Sequence, residues 1–215
     1  MQGNTLSKVS EVKYLGVMIN EKLNWNTQIE HIKTKISKAY FILTKIRHYV
    51  NRPTLMLLYN SLIFTHLNYC VCTWGGAPPT TLKPLLTIQK KTTRIITFSD
   101  YNAHSNPLFY SLKMLQLNEI YKFKIAIMFR KLNKNNNLQK STNLISIDQI
   151  HAHNTRLSAS KNYYPNTSKS KLGQSTPTAN GVKIWRDIPH DIKKLPLYKF
   201  KNALKRNLID KYKDT

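Results

Sequence analysis

A mainly α fold is predicted for this chain: an antiparallel helical bundle, preceded by a short β-hairpin and followed by an irregular basic region that ends in a helix. Three observations predict it. Trp25, Ile29, Ile32, Ile36, Ala39, Leu43, Ile46 and Val50 recur at alternating intervals of four and three, eight matches to one helical face. Residues 12–19 alternate around Gly16 as a strand or hairpin does, with Leu15, Val17 and Ile19 on one face and Asn20 and Glu21 as a turn. The connections between successive helical segments are short, which favours antiparallel neighbours.

The elements follow in order. Asn24 is placed to cap the first helix, whose other faces carry His31, Lys33, Lys35, Lys38, Lys45, Arg47 and His48. Arg52-Pro53 breaks that run, and Pro53 suits the first turn of a second helix over 53–69, with Leu55, Leu58, Tyr59, Leu62, Ile63, His66 and Leu67 inward. Gly75-Gly76 and two prolines form a loop. A third helix over 81–98 turns Leu85, Ile88, Thr92 and Ile95 inward, and Lys90, Lys91 and Arg94 make a basic face on it. A short helix opens at Asn106-Pro107, and another starts near Asn118 and runs through Ile120, Phe123, Ile127 and Met128 towards Leu132. The Asn-rich stretch after residue 133 lacks periodicity and marks the main boundary. Residues 151–180 are polar, with weak strand character at best; residues 181–189 end at a turn, and a last helix over 197–211 has Phe200, Leu204 and Leu208 on one stripe.

Charge bounds the function. The 215 residues carry 34 Lys and Arg against 10 acids, a net charge of +24. A domain this basic repels itself unless a polyanion is near, and nucleic acid rewards clustered cations by releasing counterions. Neither a membrane nor a small-molecule substrate is expected: no segment approaches a membrane span, and no phosphate-binding glycine loop occurs. Cys70 and Cys72 are too close for an easy disulfide and read as buried thiols in an apolar helix. They indicate a reducing, intracellular compartment, nuclear or cytoplasmic.

Catalytic chemistry finds little support. None of the acids are adjacent, and Pro189 separates Asp187 from Asp191, whereas two-metal phosphoryl transfer needs converging carboxylates. His151 and His153 lack a third ligand at metal spacing. On residues alone the chain reads as a binding module without a cofactor or metal of its own. The candidate contacts are Lys33, Lys35, Lys38 and Lys45 on one helix, Lys90, Lys91 and Arg94 on another, and Arg156 in a stretch that also carries Lys161, Lys169, Lys171 and the pair Tyr163 and Tyr164, which either stack on bases or pack.

The assembled pattern resembles a known family. VKYLGVMINEKLNW, a basic helix and LLYNSLIFTHLNYCVCTWGG, followed by LLTIQKKTTRII, NPLFYSLKMLQL, HNTR, GVKIWRDIP and KFKNALKRNLIDKY, are similar to the end of the reverse transcriptase domain of jockey-like non-LTR retrotransposons. The resemblance implies the end of a polymerase palm in residues 1–24, with Lys13, Tyr14 and Gly16 in a hairpin supporting the primer end. It implies a thumb-like bundle in 25–132, a linker in 133–150 and a basic C-terminal region in 151–215 that includes His153, Asn154 and Arg156. The family's paired catalytic aspartates and the Mg²⁺ they hold belong to a palm segment outside this sequence. The expected partners are RNA, DNA or RNA–DNA hybrid and the missing fingers and palm, and the chain alone is expected to be inactive as a polymerase. The alternatives are a non-catalytic interaction piece, an unfunctional remnant of a mobile element, and a stand-alone enzyme, such as a metal-dependent nuclease, using Asp187, Asp191 and the histidines.

Overall fold

The computed structural model describes residues 8–133, 144, 145, 147, 162–164 and 168–213, apart from the side chains of 171 and 172. Among these residues the chain is mainly helical with one two-stranded hairpin, as the sequence predicts.

Strands β1 (Glu11–Tyr14) and β2 (Val17–Asn20) pair antiparallel, with Glu11 opposite Asn20 and Tyr14 opposite Val17. Leu15 and Gly16 form the two-residue turn at φ 45° and 79°. Tight hairpins favour turns with positive φ at both central positions, because these match the strand twist. Leu15 therefore stands at the tip, 73% exposed, and not on the face of Val17 and Ile19 as the alternation suggested. The hairpin is tied to the chain that follows it, and the Thr27 hydroxyl donates to Glu11 Oε1 at 2.6 Å. The Tyr69 hydroxyl donates to the Leu15 carbonyl at 2.6 Å, and the Met18 N–H donates to Gln28 Oε1 at 2.8 Å.

Helix α1 (Asn26–Ile46) follows Trp25, which is left-handed at φ 62°, and Asn24 Oδ1 accepts from the Asn26 N–H. Of its predicted face, Ile29, Ile32, Ile36, Ala39 and Leu43 are buried, and Trp25, Ile46 and Val50 pack partly buried against them. Asn51 caps α2 (Arg52–Tyr59) by accepting from the Thr54 N–H. The single helix expected over 53–69 is interrupted by a π turn, Asn60–Phe64, before α3 (Thr65–Asn68). Ser61 and Thr65 hydroxyls donate to the Leu57 and Ser61 carbonyls there and compete with the backbone ladder. Cys70, at φ 46°, then separates α3 from α4 (Val71–Trp74). Cys70 thus sits at the helix break and Cys72 within the short α4, both free and half-buried, rather than lying within one buried helix.

Helix α5 (Pro79–Thr97) runs through Pro84 and closes at left-handed Phe98, where the Ser99 N–H returns to the Arg94 carbonyl. It lies along α1 and is joined to its other neighbours by Gln89, which is fully buried. Gln89 Nε2 donates to Tyr59 Oη and the Leu115 carbonyl, and its Oε1 accepts from the Leu117 N–H. Helices α6 (Ser105–Ser111) and α7 (Leu117–Leu132) follow.

The C-terminal region is more helical than its composition suggests, with α8 (Lys171–Gln174), α9 (Pro177–Arg186), α10 (His190–Lys194) and α11 (Leu197–Asp210). The segment read as running into a turn is largely α9, started by Pro177 and by Thr176 accepting from the Ala179 N–H. Helices α9 and α11 both pack on α7. Phe129 of α7 stacks with Trp185 at 6.3 Å, Trp185 meets Phe200 at 6.0 Å, and Tyr163 stands edge-on to Phe129 at 5.4 Å. Tyr163 is buried and donates to the Asn133 side chain, so it packs and does not stack on bases. One buried cluster extends from Ile29 to Tyr212. No helix among the described residues is long and apolar enough to cross a membrane.

Candidate nucleic-acid interface

The predicted cations on α1 are held at two sites by different neighbours. Near its N-terminal half, α1 presents His31 and Lys35, the hairpin brings Lys13, and α3 brings His66. Burial, then Lys35, Lys13 and His66 hold the His31 imidazole below the usual histidine range, and its Nε2 is buried without a hydrogen-bond partner among the described residues. Burial and then Lys35 likewise depress His66. Four cationic or protonatable groups with no carboxylate among the causes of either shift make a local excess of positive field, which a bound anion would relieve. Tyr14, 63% exposed, and Gly16 belong to the hairpin that carries Lys13.

At the other end of α1, cations alternate with rings. Lys45 lies 5.4 Å from the Phe41 ring, Arg47 lies 5.3 Å from Phe98, and Lys91 lies 5.8 Å from Tyr101. The Arg47–Phe98 contact sets the C-terminal ends of α1 and α5 side by side. Phe41, Phe98 and Tyr101 are all exposed. Arg47 and His31 were legible as basic positions and His66 as an inward one, but their grouping was not. Phe98 and Tyr101 carried no signal beyond being aromatic near a helix end.

Other candidates are less free. Lys33 pairs with Glu30 across one helical turn at 3.1 Å, an exposed i,i+3 pair of small energetic weight. Arg94 Nε donates to the Ala103 carbonyl at 2.8 Å, so part of its guanidinium fastens the loop after α5 instead of facing a ligand. Lys35, Lys38 and Lys45 are exposed, and Lys90 is half-exposed. His153, Asn154 and Arg156 lie outside the described residues, as do Lys161 and His151. Among the described residues no three His, Cys, Asp or Glu side chains gather as a metal site. Asp187 closes α9 and Asp191 opens α10, and the charge beside Asp187 is Lys193. Lys193 is buried, donates to Asn162 Oδ1 at 3.1 Å and lies over the Trp185 ring; burial pushes its amine down to about 8.

Comparison with curated proteins finds a probable RNA-directed DNA polymerase from transposon X-element of Drosophila melanogaster, 24% identical over 154 residues. The chain is a distant relative of a transposon-encoded polymerase. The match covers 70% of the chain, and the chain spans about 15% of that relative's length. No family model and no solved structure matches the chain.

Proposed function

We propose that the chain is a nucleic-acid-binding, thumb-like C-terminal part of a retrotransposon RNA-directed DNA polymerase, gripping an RNA–DNA primer–template while a separate palm holds the catalytic carboxylates and Mg²⁺. The observation that carries this reading is the placement of cation clusters toward both ends of α1. Its 21 residues span about 30 Å. That is close to one turn of duplex, about 34 Å. The N-terminal cluster offers positive field to phosphates, and the C-terminal one offers cations interleaved with exposed rings. The distant similarity to a transposon polymerase supplies the class of partner.

The test is a salt series. Binding of an RNA–DNA hybrid should weaken by roughly 0.9 log units per log unit of salt for each duplex phosphate contacted. The variant Lys35→Glu/Lys38→Glu/Lys45→Glu should bind the hybrid more weakly and with a shallower slope. Affinity that does not respond to salt, or a triple variant that binds like the wild type, refutes the reading.

A further inference from the structure

Away from α1 the surface holds two adjoining hollows. The first, about 360 Å³, lies between the π turn, the loop after α6, α7 and α11. Its apolar lining includes Met56, Phe64, Ile120 and Phe123, and both phenylalanines are only half-buried. Asn68 lines the same hollow with its Oδ1 buried and without a hydrogen-bond partner among the described residues. Three lysines ring it: Lys113, Lys124 and Lys205. The second hollow, about 540 Å³, shares Lys113 and Lys205 and adds Tyr110, Ile209 and Arg206, with Asp210 as its one acid. Lys213 lies 5.3 Å from the Tyr110 ring.

We infer that these hollows form a second nucleic-acid site, one that takes a single strand: an unpaired base enters the hollow of Phe64 and Phe123, and its backbone phosphate sits at Lys113 and Lys205 in the shared wall. This rests on the proposed nucleic-acid function and adds to it a distinct place and a strand preference. Three features point to that occupant. The volume and mixed lining suit a planar group with an apolar face and polar edge. The unsatisfied Asn68 amide can hydrogen-bond such an edge. Among the described residues none of Lys113, Lys124, Lys205 and Arg206 has an ion-pair partner, so the rim is complementary to an anion. Bases within a duplex are stacked and paired, and reach such a hollow only by flipping out at a cost. Single strands present both phosphates and ring faces without that cost. The left-handed backbone of Lys113, at φ 52°, places this lysine where the loop turns between the two hollows.

The experiment uses the full chain and two dye-labelled probes of equal length, an oligouridylate and an RNA–DNA hybrid, read by fluorescence anisotropy. Lys113→Glu/Lys205→Glu is expected to weaken single-strand binding by about tenfold or more and hybrid binding far less. Phe123→Leu keeps apolar volume but removes a ring, and should weaken the single strand selectively by a smaller factor; an unchanged circular dichroism melt confirms that it folds. Ultraviolet crosslinking of a 4-thiouridine oligomer should mark peptides containing Phe64, Phe123 or Tyr110. Equal loss on both probes, no loss on either, or crosslinks confined to the hairpin and α1 would overturn the inference while leaving the proposed function standing. Failure of the wild type to bind either probe overturns both. If an acidic amphipathic peptide displaces nothing yet binds the wild type more tightly than the oligouridylate, in a manner abolished by the double charge reversal, the site belongs to a protein partner and the inference is wrong.

Discussion

Gln89 shows what one buried polar side chain contributes. It joins α2, the loop after α6 and the first turn of α7 through three hydrogen bonds, and every polar end of the group is used. Gln89→Leu keeps bulk but strands the Leu117 N–H and the Leu115 carbonyl, so a loss of about 1–3 kcal/mol is expected by urea unfolding; an unchanged midpoint would show the network to be energetically idle. His31 and His66 make the residue-scale prediction for function. Both are held below the ordinary 6.5, so at pH 7 both are neutral. As pH falls below about 6.5 the unfolded chain takes up protons first, and these two groups lower stability there. A phosphate bound beside them reverses the field and raises both pKa values, so the complex holds more protons than the free protein. Hybrid affinity should therefore rise between pH 7 and 6, and rise less in His31→Gln/His66→Gln. Equal pH dependence in the two proteins would remove the histidines from the interface. None of this was visible along the chain: Gln89 sits beside two lysines and reads as part of a polar face, and His31 and His66 are far apart in sequence.

At the scale of elements, periodicity was a good guide wherever a helix buries one continuous stripe. The eight-residue stripe of α1 is the clear case, with five members buried and three packed at its margins. It failed where a helix is covered on more than one side. For α7 the sequence traced Ile120, Phe123, Ile127 and Met128 towards Leu132, and of these Ile120 and Leu132 are buried; the rest of the buried set is Leu117, Tyr121, Ile125, Ala126 and Phe129, because α4, α9 and α11 all pack on it. Helix α9 was missed since Pro177 and Gly181 read as punctuation. Pro177 instead starts the helix, and Gly181 is required by proximity: a Cβ there would lie 2.0 Å from the Phe129 ring. Gly181→Ala gains helix propensity worth about 1 kcal/mol, yet it drives a methyl into a ring wedged against Trp185 and Tyr163. A net destabilisation of about 1–3 kcal/mol is expected from thermal melts. A stabilised Gly181→Ala protein would mean that α9 does not press on α7 in this way.

For the whole molecule, the shared core makes a prediction about cooperativity. Phe129, Trp185, Phe200 and Tyr163 form one aromatic group, and the Tyr212 hydroxyl accepts from the Gln116 N–H, so the last helices complete the surface of α7. Unfolding followed by tyrosine and tryptophan fluorescence and by circular dichroism should give one coincident transition. Removing residues 168–215 should abolish its sharpness by exposing Phe129, Ala126 and Tyr121; two separate transitions in the intact chain would show the C-terminal helices to be an independent unit. By itself the sequence determined the fold class, the hairpin, the long basic helix, the excess of cations and the resemblance to a retrotransposon polymerase, because hydrophobic period, turn chemistry and charge are local quantities. The tertiary structure decided which cations meet. Lys13 and His66 reach His31 only through the packing of the hairpin, α1 and α3, and Arg47 reaches Phe98 only because α1 and α5 end together. The hollow of Phe64 and Phe123 likewise exists only between helices distant in sequence. Such groupings depend on long-range burial, which joins residues by their fit in the core and leaves no spacing in the chain to read.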